Sequence, residues 1–256
     1  MAHRPPAVSL ALSLESVQAL PIRGASGVTS CQAGLLLVED DLGIYRLRDG
    51  TATLWAGPEL HPALGDLEGI TTDVTGRTIW ALAEEAGTLV ELRVGPRGPH
   101  LVRAQQLTRP GDRRNKGFEG VAYAAPRVSP TRRAALVAVH EHKPRRVCVF
   151  DLGTGEQAIE FRLPREVKRA LDDLADVAVD PRTGLLVLLS EESRRLAVCR
   201  MRAGALHLER TFDLPLDGTE RPEGLTVLTP GRLAVVTEGP ARLLTLRVTR
   251  RAAPRV

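Results

Sequence analysis

A loose internal repeat with five copies constrains this chain more than any other feature of its sequence. Each copy opens with a short strand-like segment and later ends an apolar run on an acidic residue. The openings are residues 25–28, 67–70, 118–121, 174–177 and 222–225. The acidic ends are Glu39, Glu84, Glu141, Glu191 and Glu238. A period of roughly 40–57 residues built from short strands indicates a β-propeller or a solenoid.

The second and fourth copies each contain four strand-like segments separated by turn residues. The predicted strands are 68–72, 78–83, 88–94 and 100–107 in the second copy, and 176–179, 185–189, 195–201 and 206–212 in the fourth. Four-stranded units repeated around a ring are the blades of a propeller. The sequence predicts an all-β fold, a five-bladed β-propeller of four-stranded antiparallel blades, as a single domain over residues 1–256. One short helix is expected over residues 164–172.

The fifth copy runs out of chain before a fourth strand. An alternating apolar segment near residues 8–14 belongs to no copy of its own. We expect this N-terminal strand to pair with residues 242–248 and to close the ring, because single repeats cannot bury their faces alone.

The acidic residues should converge at one end of the central channel. In a blade of alternating strands, the entry to the innermost strand and the loop after the second strand lie on the same face. Glu68, Glu119 and Glu223 would therefore surround the channel mouth, with Glu39, Glu84, Glu141, Glu191 and Glu238 just outside them. Asp173 and Asp176 would supply the acid that is missing at Ala175.

Carboxylates gathered at a narrow mouth repel one another, so they must bind a cation, pair with Arg or Lys, or take up protons. Calcium suits such a site because it accepts several oxygen ligands at flexible geometry. Zinc does not, because no Cys or His cluster with ligand spacing occurs in the chain. The alternative is that each Glu-Gly step marks a strand start at which glycine permits close approach of neighbouring blades.

Long loops on the same face carry basic and polar residues beside the acids. Arg113, Asn115, Lys116 and Lys143 are candidates to bind a small anionic ligand that bridges to the cation, with Asp173 and Asp176 nearby. The alternative, that the basic residues only neutralise the glutamates, stays open.

Composition excludes some partners. The net charge is +4, but only three of the 35 basic residues are lysines, and paired arginines alternate with acids in different copies. With 3% aromatic residues, this pattern does not predict a nucleic-acid surface. The three cysteines lack metal-ligand spacing and are expected to be buried, reduced thiols.

No segment approaches the roughly 20 apolar residues that span a membrane. No signal peptide is evident in the sequence. We therefore expect a cytoplasmic monomer, or a periplasmic or exported protein if a signal has been removed.

The motif Asn115-Lys116-Gly117-Phe118-Glu119-Gly120 resembles a signature of the SdiA-regulated β-propeller family. Residues 173–176, 180–184 and 188–193, and the loop 141–144, resemble other parts of the same pattern. The resemblance runs from about residue 20 to residue 248 and is weakest in the first copy. It implies five blades with calcium at the mouth, and distant similarity to NHL-repeat and phytase-like propellers. Ala175-Asp176 departs from the family's small-residue–Gly step.

Three functions remain open at this point. The leading one is a calcium-binding propeller that holds a small anionic ligand at its acidic mouth. The second is a calcium-dependent phosphoesterase or lactonase-like hydrolase, with a free carboxylate such as Glu119 or Glu141 as the base. The third is a protein-interaction scaffold in which the acids are structural. The chain has no G-x-S-x-G elbow, and whether it is an enzyme is undecided.

Overall fold

The computed structural model describes residues 9–251 apart from residue 41 and residues 84–86, 108–116, 142–143 and 203. These residues form twenty β-strands in five four-stranded antiparallel sheets. The sheets are the blades of a five-bladed β-propeller, so the predicted fold class is confirmed. Outer strands that the sequence patterns left unassigned in blades 1 and 3 complete those blades.

The strands follow in chain order, beginning with β1 (Ser9–Ala19). Blade 1 contains β2 (Gly27–Cys31), β3 (Gly34–Glu39), β4 (Gly43–Arg48) and β5 (Thr51–Ala56). A 3-10 helix (Pro62–Gly65) precedes blade 2, which contains β6 (Leu67–Thr72), β7 (Thr78–Ala83), β8 (Thr88–Gly95) and β9 (Gly98–Gln106). Blade 3 contains β10 (Phe118–Ala124), β11 (Ala135–His140), β12 (Arg146–Asp151) and β13 (Gln157–Arg162).

A helix α1 (Arg165–Ala170) leads into blade 4, close to the predicted helix. Blade 4 contains β14 (Asp176–Val179), β15 (Leu185–Ser190), β16 (Arg195–Arg202) and β17 (Ala205–Asp213). Blade 5 contains β18 (Arg221–Thr229), β19 (Arg232–Glu238) and β20 (Arg242–Arg251). In the part of the chain that the structure describes, no helix is long and apolar enough to cross a membrane.

Strand β1 closes the ring as predicted. It pairs antiparallel with β20, from Ser9 opposite Arg251 to Ala19 opposite Arg242, and becomes the outer strand of blade 5. The strand is longer than expected because it continues past a register shift between Leu14 and Ser16. Residue 8, where the predicted segment began, lies outside the described residues.

The hydrophobic core lies between blades rather than within them. Each of the five apolar clusters found among the described residues joins two consecutive blades, and the cluster of blades 5 and 1 completes the circle. Between blades 2 and 3, for example, Phe118 packs edge-on against Phe150 with ring centroids 5.4 Å apart. No blade buries both of its faces alone, so the blades depend on one another for stability.

The cysteines are free thiols, as the sequence predicted. Cys148 and Cys199 are fully buried, and burial raises the pKa of Cys199 to about 12, which keeps it protonated and unreactive. Cys31 differs from the prediction because it is only half-buried, near the end of β2.

Candidate functional site

Three of the predicted glutamates begin the innermost strands of their blades, each inside a β-bulge. The strand register shifts across Glu68, between Leu67 and Gly69, and the same shift occurs at Glu119 and Glu223. A bulge bends the strand and re-aims the side chain of the extra residue. The recurring Glu-Gly step therefore places a carboxylate at the same end of three blades.

The glycine of each step lies where the innermost strands of neighbouring blades touch. A Cβ atom on Gly120 would lie 2.2 Å from Oδ1 of Asp176 in blade 4. On Gly224, it would lie 2.7 Å from Cα of Gly27 in blade 1. Glycine is needed here because a side chain would push the strands apart. The interpretation of the glycine as a point of close approach between blades is confirmed. The Glu-Gly step therefore allows the blades to pack closely and also places its glutamate at the strand start.

Arg221, which no pattern in the sequence singled out, binds three of the predicted glutamates. Its Nε donates a hydrogen bond to Oε1 of Glu191. Its Nη1 lies 2.9 Å from Oε2 of Glu238, and its Nη2 lies 3.4 Å from Oε1 of Glu223. The loop after β15, the end of β19 and the start of β18 therefore meet around one guanidinium. We call these four residues the Arg221 cluster.

Glu223 has the most altered ionisation in the Arg221 cluster. Its side chain is 20% exposed. Burial is the main cause that raises its pKa from 4.5 to about 8, and the negative charges of Glu191, Glu238 and Glu119 raise it further. Arg221 lowers the pKa but does not offset burial. Glu223 therefore holds a proton over much of the neutral pH range, and Glu119 lies close enough to influence it.

Glu39, the last residue of β3, extends this acidic region into blade 1. It is buried, and its Oε1 accepts a hydrogen bond of 3.4 Å from the backbone N–H of Arg23. Glu39, Asp40 and Glu238 line one depression of about 270 Å³. The acids at the ends of the second strands of blades 1 and 5 are thus neighbours.

Backbone contacts place Glu68 and Glu141 on the same face. The backbone N–H of Leu67 donates a hydrogen bond of 3.4 Å to the carbonyl oxygen of Asp40. The backbone N–H of Glu141 donates one of 3.3 Å to the carbonyl oxygen of Gly117. The predicted acids that lie on this face are Glu39, Glu68, Glu119, Glu141, Glu191, Glu223 and Glu238, and of these Glu191, Glu223 and Glu238 share a partner in Arg221. The predicted site residues that lie outside the described residues are Glu84, Arg113, Asn115, Lys116 and Lys143.

Asp173 is buried and stabilises the turn after β15. Its carboxylate accepts one hydrogen bond from the hydroxyl of Ser190 and one of 3.2 Å from the backbone N–H of Glu192. The hydroxyl of Ser190 in turn accepts a hydrogen bond of 3.1 Å from the N–H of Ser193. These contacts fix the turn that carries Glu191 toward Arg221. A direct contact of Asp173 with a ligand stays a prediction.

Asp176 occupies in blade 4 the strand position that Gly224 occupies in blade 5. Its carboxylate accepts backbone hydrogen bonds of 2.6 Å from Leu225 and 2.7 Å from Val177. Burial raises its pKa well above the ordinary value, although these hydrogen bonds act in the opposite direction. The side chain links blades 4 and 5 at the channel, and its predicted ligand contact is likewise untested.

The model of the SdiA-regulated family matches residues 60–212, which is more than half of the chain. This chain belongs to the SdiA-regulated family. The matched segment includes the motifs of blades 3 and 4 that carry the resemblance. A search of curated protein sequences gives no match.

Solved structures similar to this family member are propellers of other kinds. A glutaminyl cyclase from Myxococcus xanthus matches with a TM-score of 0.70 and 12% identity, over 96% of this chain and 99% of that one. The PQQ-bound aldose sugar dehydrogenase from Streptomyces coelicolor matches with a TM-score of 0.57 and 13% identity, over 95% and 100%. A chain of a nidogen/laminin complex matches with a TM-score of 0.53 and 14% identity, over 83% and 72%. At such identities the likeness shows the fold alone.

The donor atoms at the mouth of this SdiA-regulated propeller are of the chemical type that binds a hard cation. They are carboxylate oxygens, which calcium prefers, and the described members include no sulfur ligand. Within the part of the chain that the structure describes, however, no three His, Cys, Asp or Glu side chains are grouped so that they could hold a metal ion. The guanidinium of Arg221 lies among three of the carboxylates and forms an ion pair with each of them.

Proposed function

We propose that the acidic mouth of this propeller binds a hard divalent cation, for which calcium is best suited, together with a small anionic ligand. The Arg221 cluster is the observation that carries the proposal. Three carboxylates share one guanidinium, and Glu119 adds a further negative charge within range of Glu223. When ionised, these groups keep a net negative charge, which a divalent cation would neutralise.

The three bulged glutamates are the first candidates to hold the cation, because the innermost strands border the channel. Calcium takes about six to eight oxygen ligands, including waters and backbone carbonyls, so side chains from several blades can share it. The bulged residues are Glu68, Glu119 and Glu223, and the outer candidates are Glu39, Glu84, Glu141, Glu191 and Glu238. When bound, the cation would supply positive charge to an anionic oxygen of the ligand.

Arg221 is the described residue best placed to bind the anionic ligand. Its side chain is 54% exposed, although it contacts three carboxylates. Because a cation would compete for those carboxylates, its arrival would leave the guanidinium available for a phosphate or carboxylate group. Arg113, Asn115, Lys116 and Lys143 remain predicted contributors to the same ligand.

A calcium titration followed by thermal unfolding tests the cation site. A ligand that binds only the folded state stabilises it by about 2.7 kcal/mol at one hundred times its Kd, so calcium should raise the Tm. Glu119→Gln should reduce this shift strongly. Glu156→Gln, in the exposed turn between β12 and β13, should leave it unchanged. A wild-type Tm that does not respond to calcium would contradict the proposal.

A second candidate is a hydrolase that moves a proton at the mouth, and the pKa of Glu223 favours it. A carboxyl with a pKa of about 8 can donate and accept protons near neutral pH. Arg221 beside it could bind a developing oxyanion. Two of the matched structures are named as enzymes, which supports a catalytic use of such a ring without indicating the reaction.

The hydrolase candidate is tested with a phosphomonoester and a lactone as substrates, in the presence of calcium. Loss of a general acid or base lowers the rate by roughly 100-fold or more, and Glu223→Gln should do so here. Glu156→Gln is again the control. Absence of turnover with either substrate, or equal rates for Glu223→Gln and the control, would remove the phosphoesterase and lactonase alternatives.

A further inference from the structure

A second charged region lies on the face opposite the mouth, where loops of blades 3 and 4 meet. A groove of about 660 Å³ is lined by Arg127 and Arg132 from the β10–β11 loop and by Arg202 at the end of β16. Arg182, in the β14–β15 turn, lines an adjoining depression together with Arg127. We call this region the arginine groove. We propose that it binds a small organic anion that combines a phosphate group with an apolar body.

The four arginines of the groove share their exposure and, within the described part of the chain, their lack of acidic partners. All four are exposed, and among the described residues none of them forms an ion pair. Glu209 is an acid near Arg202, but its Oε1 lies 2.7 Å from Nε of Arg200, with which it forms an ion pair. The pKa of Glu209 is lowered mainly by Arg200 and to a lesser extent by Arg202. Ion pairs are formed elsewhere by Arg103–Glu91, Arg146–Glu160, Arg200–Glu209 and Arg232–Glu15. The groove therefore concentrates positive charge, although Glu209 and Asp180 lie near Arg202 and Arg182.

The loops that carry these arginines are held in place by local contacts. Ser129 is buried, its Oγ lies 2.9 Å from Oγ1 of Thr131, and its backbone N–H donates to the carbonyl of Ala125 at 2.8 Å. A Cβ on Gly184 would lie 3.1 Å from Cβ of Val128, so the β14–β15 turn packs directly on the β10–β11 loop. Two packed turns thus fix the backbone from which Arg127, Arg132 and Arg182 extend, so the loops need not be ordered when a ligand binds.

The lining of the groove indicates the body of the ligand. Val128, Ile159 and Met201 are only partly buried and contribute apolar surface beside the arginines. The exposed lining is more polar than apolar, and a concave site of a few hundred Å³ in which polar groups converge beside apolar surface is typical of small-molecule binding. Phe161 is only 1% exposed, so it offers no ring on which a nucleic-acid base could stack. Guanidinium groups bind phosphate through paired, charge-assisted hydrogen bonds.

Isothermal titration with n-hexyl phosphate and with inorganic phosphate, in calcium-free buffer, tests this proposal. We expect saturable binding of one hexyl phosphate per chain, and weaker binding of inorganic phosphate because it leaves the apolar lining uncovered. Arg132→Gln and Arg202→Gln should each weaken hexyl phosphate binding about tenfold, the loss expected for a charge-assisted hydrogen bond. Arg97→Gln, at the corresponding hairpin of blade 2, is the matched control and should bind like the wild type.

Other results would overturn the proposal. Equal weakening by Arg97→Gln would show a general charge effect rather than a site. Binding of a long polyanion such as heparin, without saturable binding of hexyl phosphate, would identify a macromolecular surface instead. Glu223→Gln should not change hexyl phosphate binding, because the mouth lies on the other face, so failure of the calcium proposal and failure of this one are distinguishable.

Discussion

Blades 4 and 5 both begin their innermost strands with an acidic residue, but the two carboxyls lie in different surroundings. In blade 5, Glu223 is the extra residue of a β-bulge, and its side chain is 20% exposed beside Arg221. In blade 4, Asp176 lies one position further along, in regular pairing with Leu189, and is 2% exposed. The same end of the strand thus presents a carboxyl to the mouth in one blade and buries it in the other.

A displacement of one residue explains this difference, because neighbouring residues of a strand point to opposite sides. Glu223 reaches the mouth, where it lies beside Arg221 and is surrounded by other acids. Asp176 stands where other blades have glycine, lies against Gly120 of blade 3 and accepts a hydrogen bond from the backbone N–H of Leu225 in blade 5. Acids at strand starts therefore serve either the electrostatics of the mouth or the joining of blades, according to register.

Removal of residues 1–15 should have the largest effect on the molecule, because it opens the ring of blades. The deletion takes away residues 9–15 of β1, which pair with β20, and Glu15, which Arg232 binds at 2.7 Å. The outer edge of blade 5 would then be unprotected. We expect the cooperative thermal transition, followed by circular dichroism, to be lost or strongly lowered in temperature. A truncated chain that melts like the full one would show that β1 is dispensable.

Replacement of Asp176 should have the largest effect of any single substitution proposed here. Asp176→Ala leaves the buried N–H groups of Leu225 and Val177 without their acceptors. Two unsatisfied donors should lower the free energy of unfolding by about 2–5 kcal/mol, measured by urea denaturation. Asp176→Asn keeps one acceptor oxygen and should cost clearly less. Equal costs for the two variants would mean that packing, not hydrogen bonding, explains the buried carboxyl.

Glu223 should make stability depend on pH. Its pKa is about 8 in the folded chain and 4.5 ordinarily, so its contribution is fully present below pH 4.5 and is lost as the pH rises toward and through 8. The slope is at most about 1.4 kcal/mol per pH unit. The Glu223→Gln variant cannot ionise at this position. Between pH 5 and 8, its free energy of unfolding in calcium-free urea titrations should therefore increase relative to that of the wild type. Asp176, whose pKa is also raised, should leave a residual slope of the same sign.

Glu156→Gln provides the control for this pH dependence, because it lies in an exposed turn of blade 3. Its stability should run parallel to that of the wild type over the same range. If Glu223→Gln also runs parallel, Glu223 is ionised like an ordinary surface carboxyl, and the contrast with Asp176 is only one of exposure.

The ring of blades and the common face of the acids could be predicted from sequence, because both follow from strand order. The repeat spacing predicts the four-stranded units, and alternating strand direction places Glu191 and Glu238 with Glu223 on one face. The pairing of β1 with β20 followed from a missing strand at one end of the chain and a surplus strand at the other.

The contacts that determine the chemistry of the mouth could not be predicted in this way. Arg221 is one of many arginines. Its partners lie in β18, at the end of β19 and in the loop after β15, and the distance to that loop depends on how blades 4 and 5 pack. The burial of Asp176 likewise depends on how closely the innermost strands of blades 3, 4 and 5 approach one another. Hydrogen bonds between blades are set by tertiary packing, and local sequence carries little information about it.

Arg221→Gln gives the smallest effect but the sharpest test of what the mouth binds. If Arg221 takes the place of a cation, its removal should strengthen calcium binding several-fold in isothermal titration, because the carboxylates lose a competing positive charge. Glu223→Gln should weaken the same binding. Opposite changes in neighbouring variants cannot arise from general loss of structure. If Arg221→Gln leaves calcium binding unchanged, the cation lies outside the Arg221 cluster. If neither variant nor the wild type binds calcium, the ion pairs serve the packing of blades 4 and 5, and the glutamates at the mouth are structural like Asp176.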